Sequence, residues 1–216
     1  MSASISQTRR LALAGLVVAL GLGLDQWTKR WAFTTLRQQP AKVLVEDWLE
    51  LDYAFNPGSA FGMFGDEPGA RTIFIVTTVF ALLYIATLLW RPPGEARTRR
   101  VAATGTISLA LMAAGALGNL IDRLWRLDEV RVRIADELQF WLLIEHPVKL
   151  SESLLRGRNY LDLPRYGVVD FIVVYYWPER RWPSFNVADT CLVVGVGLFL
   201  IYLARLDAKP GPDADA

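Results

Sequence analysis

The chain has 216 residues, 53% of them hydrophobic, a formal net charge of +1 and a mean hydropathy of +0.27. That hydropathy is too high for an ordinary soluble core of this size, and the near-neutral charge argues against nucleic acid as a partner. The single cysteine, Cys191, excludes an internal disulfide and a thiolate metal site, and the single histidine, His146, excludes paired-histidine zinc chemistry.

The apolar residues fall in runs. Leu11–Leu24, Thr72–Trp90, Val101–Ile121 and Thr190–Ala204 contain no charged residue. A helix that crosses the hydrocarbon layer needs roughly 20 residues. The second and third runs reach or nearly reach that length; the first and fourth do so only by continuing into the polar residues around Asp25 and Asn186. The pattern predicts one membrane-embedded domain with transmembrane helices at about 10–29, 72–90, 101–121 and 186–204. The first run also has the shape of a secretory signal peptide, but no Ala-x-Ala-like cleavage site follows it, and it is read as a retained helix.

Basic residues orient these helices. Arg9 and Arg10 precede the first run, Arg91, Arg97, Arg99 and Arg100 crowd the loop after the second, and Arg205 and Lys209 follow the fourth. The positive-inside rule makes that face, with both termini, cytoplasmic, and the long loops 30–71 and 122–184 extracytoplasmic. Trp27, Trp31, Trp48, Trp177 and Trp182 then fall near the outer boundary, as interfacial aromatics do.

In chain order, the first polar motif is Asp25-Gln-Trp-Thr-Lys29, an acid and a base four apart on one helical face. Alone it reads as a local ion pair at the membrane rim with a snorkelling lysine. Trp48–Phe55 and Val168–Trp177 are strand candidates, rich in aromatic and β-branched residues, and together they predict a small sheet. Asn56-Pro-Gly58 is a turn signal, and functional only if the asparagine points into a site. Gly115, Gly118, Asn119 and Asp122 can share one face at the end of the third helix, with Arg123 adjacent. The glycines suit close packing in lipid, and the Asp122–Arg123 pair reads as structural support. Residues 208–216 read as a disordered tail.

Asp170, in Gly-Val-Val-Asp-Phe, and Asp189, in Phe-Asn-Val-Ala-Asp, lie where the chain meets the membrane. Carboxylates there are costly to desolvate, so a pair of them marks a candidate site. Brought together they cannot both ionise comfortably, so one holds a proton while the other stays a base. Either alone reads first as a helix cap or an arginine partner, and it is the company they keep that reverses this. Asn186 shares a helical face with Asp189, whereas Cys191 points elsewhere and reads as a small apolar residue.

Five ordered blocks resemble the bacterial lipoprotein signal peptidase (signal peptidase II) family of intramembrane aspartyl proteases. They are Asp25-x-x-Thr-Lys29, Asn56-x-Gly-x-Ala-Phe-Gly62, Gly118-Asn-x-x-Asp-Arg123, Val168-Val-Asp-Phe171 and Phe185-Asn-x-Ala-Asp189. The resemblance implies an all-α membrane protein of four transmembrane helices carrying a small extracytoplasmic β-cradle. It also implies a catalytic pair at Asp170 and Asp189, with Asp25, Lys29, Asn56, Gly58, Asn119, Asp122, Arg123 and Asn186 supporting the site or contacting substrate. The implied substrate is a prolipoprotein already carrying diacylglycerol, cut before its lipobox cysteine by a monomer in the cytoplasmic membrane, in contact with membrane lipid and without metal or cofactor. One departure concerns spacing. Residues 124–169 lie between Arg123 and Asp170, where the family has a short connector, and about 124–163 are read as an extracytoplasmic insertion without a catalytic part. Rival readings of the same carboxylates are a transporter's proton relay or the helix caps of a non-enzymatic assembly factor.

Overall fold

A computed structural model of the chain describes residues 6–57, 69–91, 99–133, 147–177 and 180–207. Gly58, the apolar stretch 140–144 and the tail 208–216 lie outside the described residues. The described helices are α1 (Gln7–Thr35), α2 (Ala70–Trp90), α3 (Arg99–Trp125), the short α4 (Pro147–Leu155) and α5 (Val187–Asp207). All but α4 are long and apolar enough to cross a membrane. Two small antiparallel sheets accompany them, so the chain is a mostly helical, multi-pass membrane protein rather than a purely α-helical one.

At about 1.5 Å per residue, α1 is about 43 Å long, more than a hydrocarbon layer of about 30 Å requires. The Ser6 side chain caps its start by accepting from Arg9 N. At this same end of the bundle, α1 side chains cap α2. The buried Arg10 guanidinium donates to the carbonyls of Leu88 and Arg91 at 3.0 and 2.6 Å, and Gln7 donates to those of Leu89 and Trp90. A cation on the orphan carbonyls of a helix C-terminus is favourable both as donor and as charge.

The central helix is α3, packed against α1, α2 and α5. Its inward face is small: Ala110, Ala113, Ala114 and Ala116 are buried with Thr106 and Ser108. Lipid provides no hydrophobic drive between helices, so such residues act by letting backbones approach. A Cβ added to Gly115 would collide with the Ala188 carbonyl of α5 and lie 2.8 Å from Leu192 Cγ.

The larger sheet has the order β1 (Lys42–Val45), β2 (Leu49–Asn56), β5 (Val168–Trp177), β6 (Arg180–Arg181). Alternation along its central strands sends Tyr53, Phe55, Val169 and Phe171 into a core with Ala32 and Leu36 at the end of α1. Ala54 stands opposite Asp170 in the ladder, on the alternate set of positions. The sheet thereby fastens Asp170 to the end of the bundle.

The described residues between α3 and β5 form an excursion that leaves the end of α3 and returns to it. β3 (Leu127–Arg133) pairs with β4 (Tyr160–Tyr166) from Leu127↔Tyr166 to Arg133↔Tyr160. α4 packs Leu150 against Leu161, Leu163 and Val130 in a separate small core. Gly167 N donates to Arg126 O at 3.1 Å, so the chain returns to the point it left. A Cβ on Gly167 would lie 2.5 Å from Asn56 O, which is why the return needs glycine.

Gly115→Ala should destabilise the protein by about 1–3 kcal/mol through overpacking against backbone. Gly23→Ala, with nothing within 4 Å of the added methyl, should not. Thermal denaturation in detergent checks this, and equal melting temperatures would refute the packing assignment.

Candidate active site

At the sheet end of the bundle the Lys29 ammonium is completely buried. It bonds Asp25 Oδ2 at 3.0 Å, Asp122 Oδ2 at 3.2 Å and Asn119 Oδ1 at 2.8 Å. The snorkelling reading of Lys29 therefore fails: three acceptors draw the ammonium inward, where burial strengthens each interaction. Asp122 takes its second cation from Arg126, Nε to Oδ1 at 2.8 Å, not from the adjacent Arg123. One helical turn brings Arg126 over Asp122, whereas consecutive side chains diverge by about 100°. Gln26 completes the cluster, donating to Asp25, Asp122 and the Gly118 carbonyl.

This cluster holds other elements through backbone N–H groups. Asp25 Oδ1 accepts from Ala188 N at 2.8 Å, in the first turn of α5. Asp122 Oδ2 accepts from Val169 N at 3.4 Å, on β5. A Cβ on Gly118 would collide with the Asp25 carboxylate, so this glycine makes room for the cluster.

Asn186 joins the two candidate catalytic residues. It is the residue before α5, and its Oδ1 accepts from Asp189 N at 3.0 Å while Asp189 Oδ2 accepts from Asn186 N at 3.1 Å. That reciprocal capping satisfies two orphan donors of the helix start. The same asparagine donates from Nδ2 to Asp170 Oδ1 at 2.6 Å. Phe185 is stitched to Ile172 of β5 by hydrogen bonds in both directions, which holds Asn186 beside Asp170. Asn119 Nδ2 donates to Asp189 Oδ1 at 2.8 Å. Both oxygens of Asp189 thus accept from N–H groups.

Asp170 is 6% exposed. Burial, reinforced by the negative charge of Asp189, pushes its carboxyl up to about 7, against hydrogen bonds from Asn186 and Asn56 and the charge of Lys29 that hold it down. Both aspartates line a cavity of about 860 Å³. Its walls include Leu192, Val193 and Val194 of α5, with Arg181 and Trp182 from the sheet side. Arg123 also lines it, 5.0 Å over the Phe74 ring and within electrostatic reach of both aspartates. Its buried Nε has no hydrogen-bond partner among the described residues.

The structure brings together nine of the ten residues singled out from sequence; the tenth, Gly58, lies outside the described residues. Cys191 lies toward Gly21 of α1 and does not line the cavity. Sequence reasoning missed Gln26 and Arg126. Arg126 was findable, since it stands four residues after Asp122, directly past the end of α3.

Two solved structures, described as bacterial membrane enzymes determined by the in meso method at 2.3 and 1.9 Å resolution, share this fold. They superpose with TM-scores of 0.60 and 0.57 at 21% and 22% identity, covering 98% and 90% of this chain and 98% and 94% of theirs. The fold is accordingly one that bacterial membrane enzymes adopt. The lipoprotein signal peptidase of Desulforapulum autotrophicum is 30% identical over 199 residues, 91% of this chain and 94% of the relative. That of Neisseria gonorrhoeae is 29% identical over 97% of this chain and 99% of its own length. The family model described as signal peptidase (SPase) II matches residues 17–205. The chain belongs to the signal peptidase II family, and so to a family of proteases.

A buried acid whose folded pKa is raised lowers stability as pH rises. The cost is absent below the unfolded value of 3.8, where both states carry the proton, and is fully present above about 7. Asp170→Asn removes it while leaving an oxygen to accept from Asn186. The variant should therefore melt higher than wild type at pH 8, with the gain vanishing toward pH 4. A pH-independent difference in Tm would refute the assignment.

Proposed function

We propose that the protein is an intramembrane aspartyl endopeptidase that removes the signal peptide from diacylglyceryl-modified prolipoproteins, cutting just before the lipidated lipobox cysteine. The family membership supports the peptidase, and the relatives named lipoprotein signal peptidases support the substrate class. The observation that carries the mechanism is the buried Asp170, titrating near neutrality beside Asp189 on the wall of an apolar cavity.

The buried Asp170, its carboxyl pushed up to about 7, is the member of the pair that holds a proton. Asp189, an acceptor at both oxygens, is the base that takes a proton from water; Asp170 carries its proton and polarises the scissile carbonyl. Water oxygen adds to the carbonyl carbon, forming a tetrahedral intermediate. As the C–N bond breaks, Asp170 protonates the leaving amine. Asn119 and Asn186 hold the pair in register, and the Nε of Arg123, without a hydrogen-bond partner among the described residues, is a donor for substrate. Leu192, Val193 and Val194 suit acyl chains, since the exposed side of α5 is apolar. No metal or organic cofactor enters these steps, and the enzyme works as a monomer.

The proposed orientation puts the arginine-rich helix ends and both termini in the cytoplasm, and the site, with the excursion, on the extracytoplasmic side of the bacterial cytoplasmic membrane. A transporter's relay belongs nearer the bilayer midplane, whereas these carboxylates cluster at the helix ends that meet the sheet.

Asp189→Asn and Asp170→Asn should each lower turnover of a diacylglyceryl prolipoprotein by about 10²–10⁴-fold without loss of abundance. In wild type, kcat/KM should fall on the alkaline side with an apparent pKa of about 7, as the Asp170 proton leaves. Near-normal cleavage by either variant would sink the mechanism. For orientation, Arg158→Cys in a Cys191→Ala background should react with a membrane-impermeant maleimide in intact spheroplasts. Labelling only after permeabilisation would reverse the topology.

A further inference from the structure

Asp128, one residue into the excursion, is 6% exposed. A buried carboxylate needs partners, and among the described residues the side chains that serve it lie outside the excursion. Arg37, just past the end of α1, pairs with its Oδ1, and the Tyr53 hydroxyl of β2 donates to its Oδ2 at 2.6 Å. Arg37 lies 5.1 Å over the Phe33 ring, and Phe33 meets Tyr53 edge-on at 6.1 Å, closing a ring of contacts around the carboxylate.

Tyr53 occupies the irregular part of β2. Pairing runs from Leu51↔Ile172 to Ala54↔Asp170, three steps on one strand against two on the other, so β2 carries one extra residue there. A bulge re-aims the residues on its C-terminal side. Here those residues are Ala54, opposite Asp170, and then Asn56, whose side chain hydrogen-bonds the Asp170 carboxyl.

We infer that Asp128 is a positioning residue for the peptidase site: by anchoring Tyr53 it fixes the β2 bulge and so sets Asn56 against Asp170. The excursion is then part of the working enzyme, supplying the anchor through its first buried residue. This rests on the peptidase reading above, with Asp170 as the acid.

The groups facing Asp170 are Asp189 and Asn186 at the start of α5, Lys29 from α1, Arg123 from α3 and Asn56 from β2. Only Asn56 stands on the strand that Tyr53 anchors. Tyr53 itself faces Arg37 and Arg126 besides Asp128. Loosening Tyr53 therefore removes a hydrogen bond that holds the Asp170 proton affinity down.

The test uses full-length protein in detergent and a diacylglyceryl prolipoprotein. Tyr53→Phe and Asp128→Ala should each lower kcat about tenfold with KM little changed, since a small misplacement at the reacting groups is costly. Each should move the alkaline limb of the pH–rate profile to higher pH. The double variant should be no worse than the poorer single one, as members of one linkage are not additive. Wild-type kcat and an unmoved alkaline limb in Tyr53→Phe would overturn the inference, as would additive losses in the double variant. Should Asp128→Ala fail to fold, Tyr53→Phe, which removes one hydroxyl, decides alone. A wild-type protein that does not cleave would overturn the peptidase reading itself, and that control separates the two failures.

Discussion

The structure depends on one buried ammonium. Lys29 sits without solvent contact between Asp25, Asp122 and Asn119, and each partner reaches onward to a different element. Asp25 holds the start of α5 through Ala188 N, Asp122 holds β5 through Val169 N, and Asn119 holds Asp189. Taking such charges out of water costs several kcal/mol per ion, and only multiple well-formed partners offset it. An arrangement held by so many reciprocal demands has little room to relax. It is a rigid frame, and the candidate pair hangs on it.

The frame also separates fixed charge from reactive charge. Lys29 and Arg126 balance Asp25 and Asp122, so that set is neutral by itself. Asp170, Asp189 and Arg123 form a second set, which is neutral when the pair holds one proton. Proton exchange in the second set then proceeds without disturbing the charge of the first. Under the proposed mechanism, this is the electrostatic preorganisation that acid–base chemistry needs.

Legibility in the sequence followed the range of the interactions. The four spans were visible as uncharged runs, and β5 was visible because Val168–Trp177 is dense in β-branched and aromatic residues. The Asp25–Lys29 pair was visible because four residues make one helical turn. Its burial was not, because the decisive partner Asp122 comes from another helix, nearly a hundred residues away in sequence. The long spacing between Arg123 and Asp170 was legible as an interruption in a pattern, but the docking of the segment that fills it was not. Asp128, Tyr53 and Arg37 lie on three elements, and no spacing rule joins them. Local periodicity reports faces; it does not report which faces meet.

The closed seam between Arg126 and Gly167 bears on how the chain finds its fold. Bringing β5 to the end of α3 across some forty residues means closing a long loop, an entropic loss incurred before any contact rewards it. The β3–β4 ladder offsets that loss with a run of hydrogen-bonded pairs. Each rung of the β3–β4 register narrows the gap that remains, and the ladder ends at Leu127↔Tyr166. The last rung delivers Gly167, and with it Asp170, to the helix end. The segment that most lengthens the chain between two parts of the site thereby spans no distance: it ends where it began.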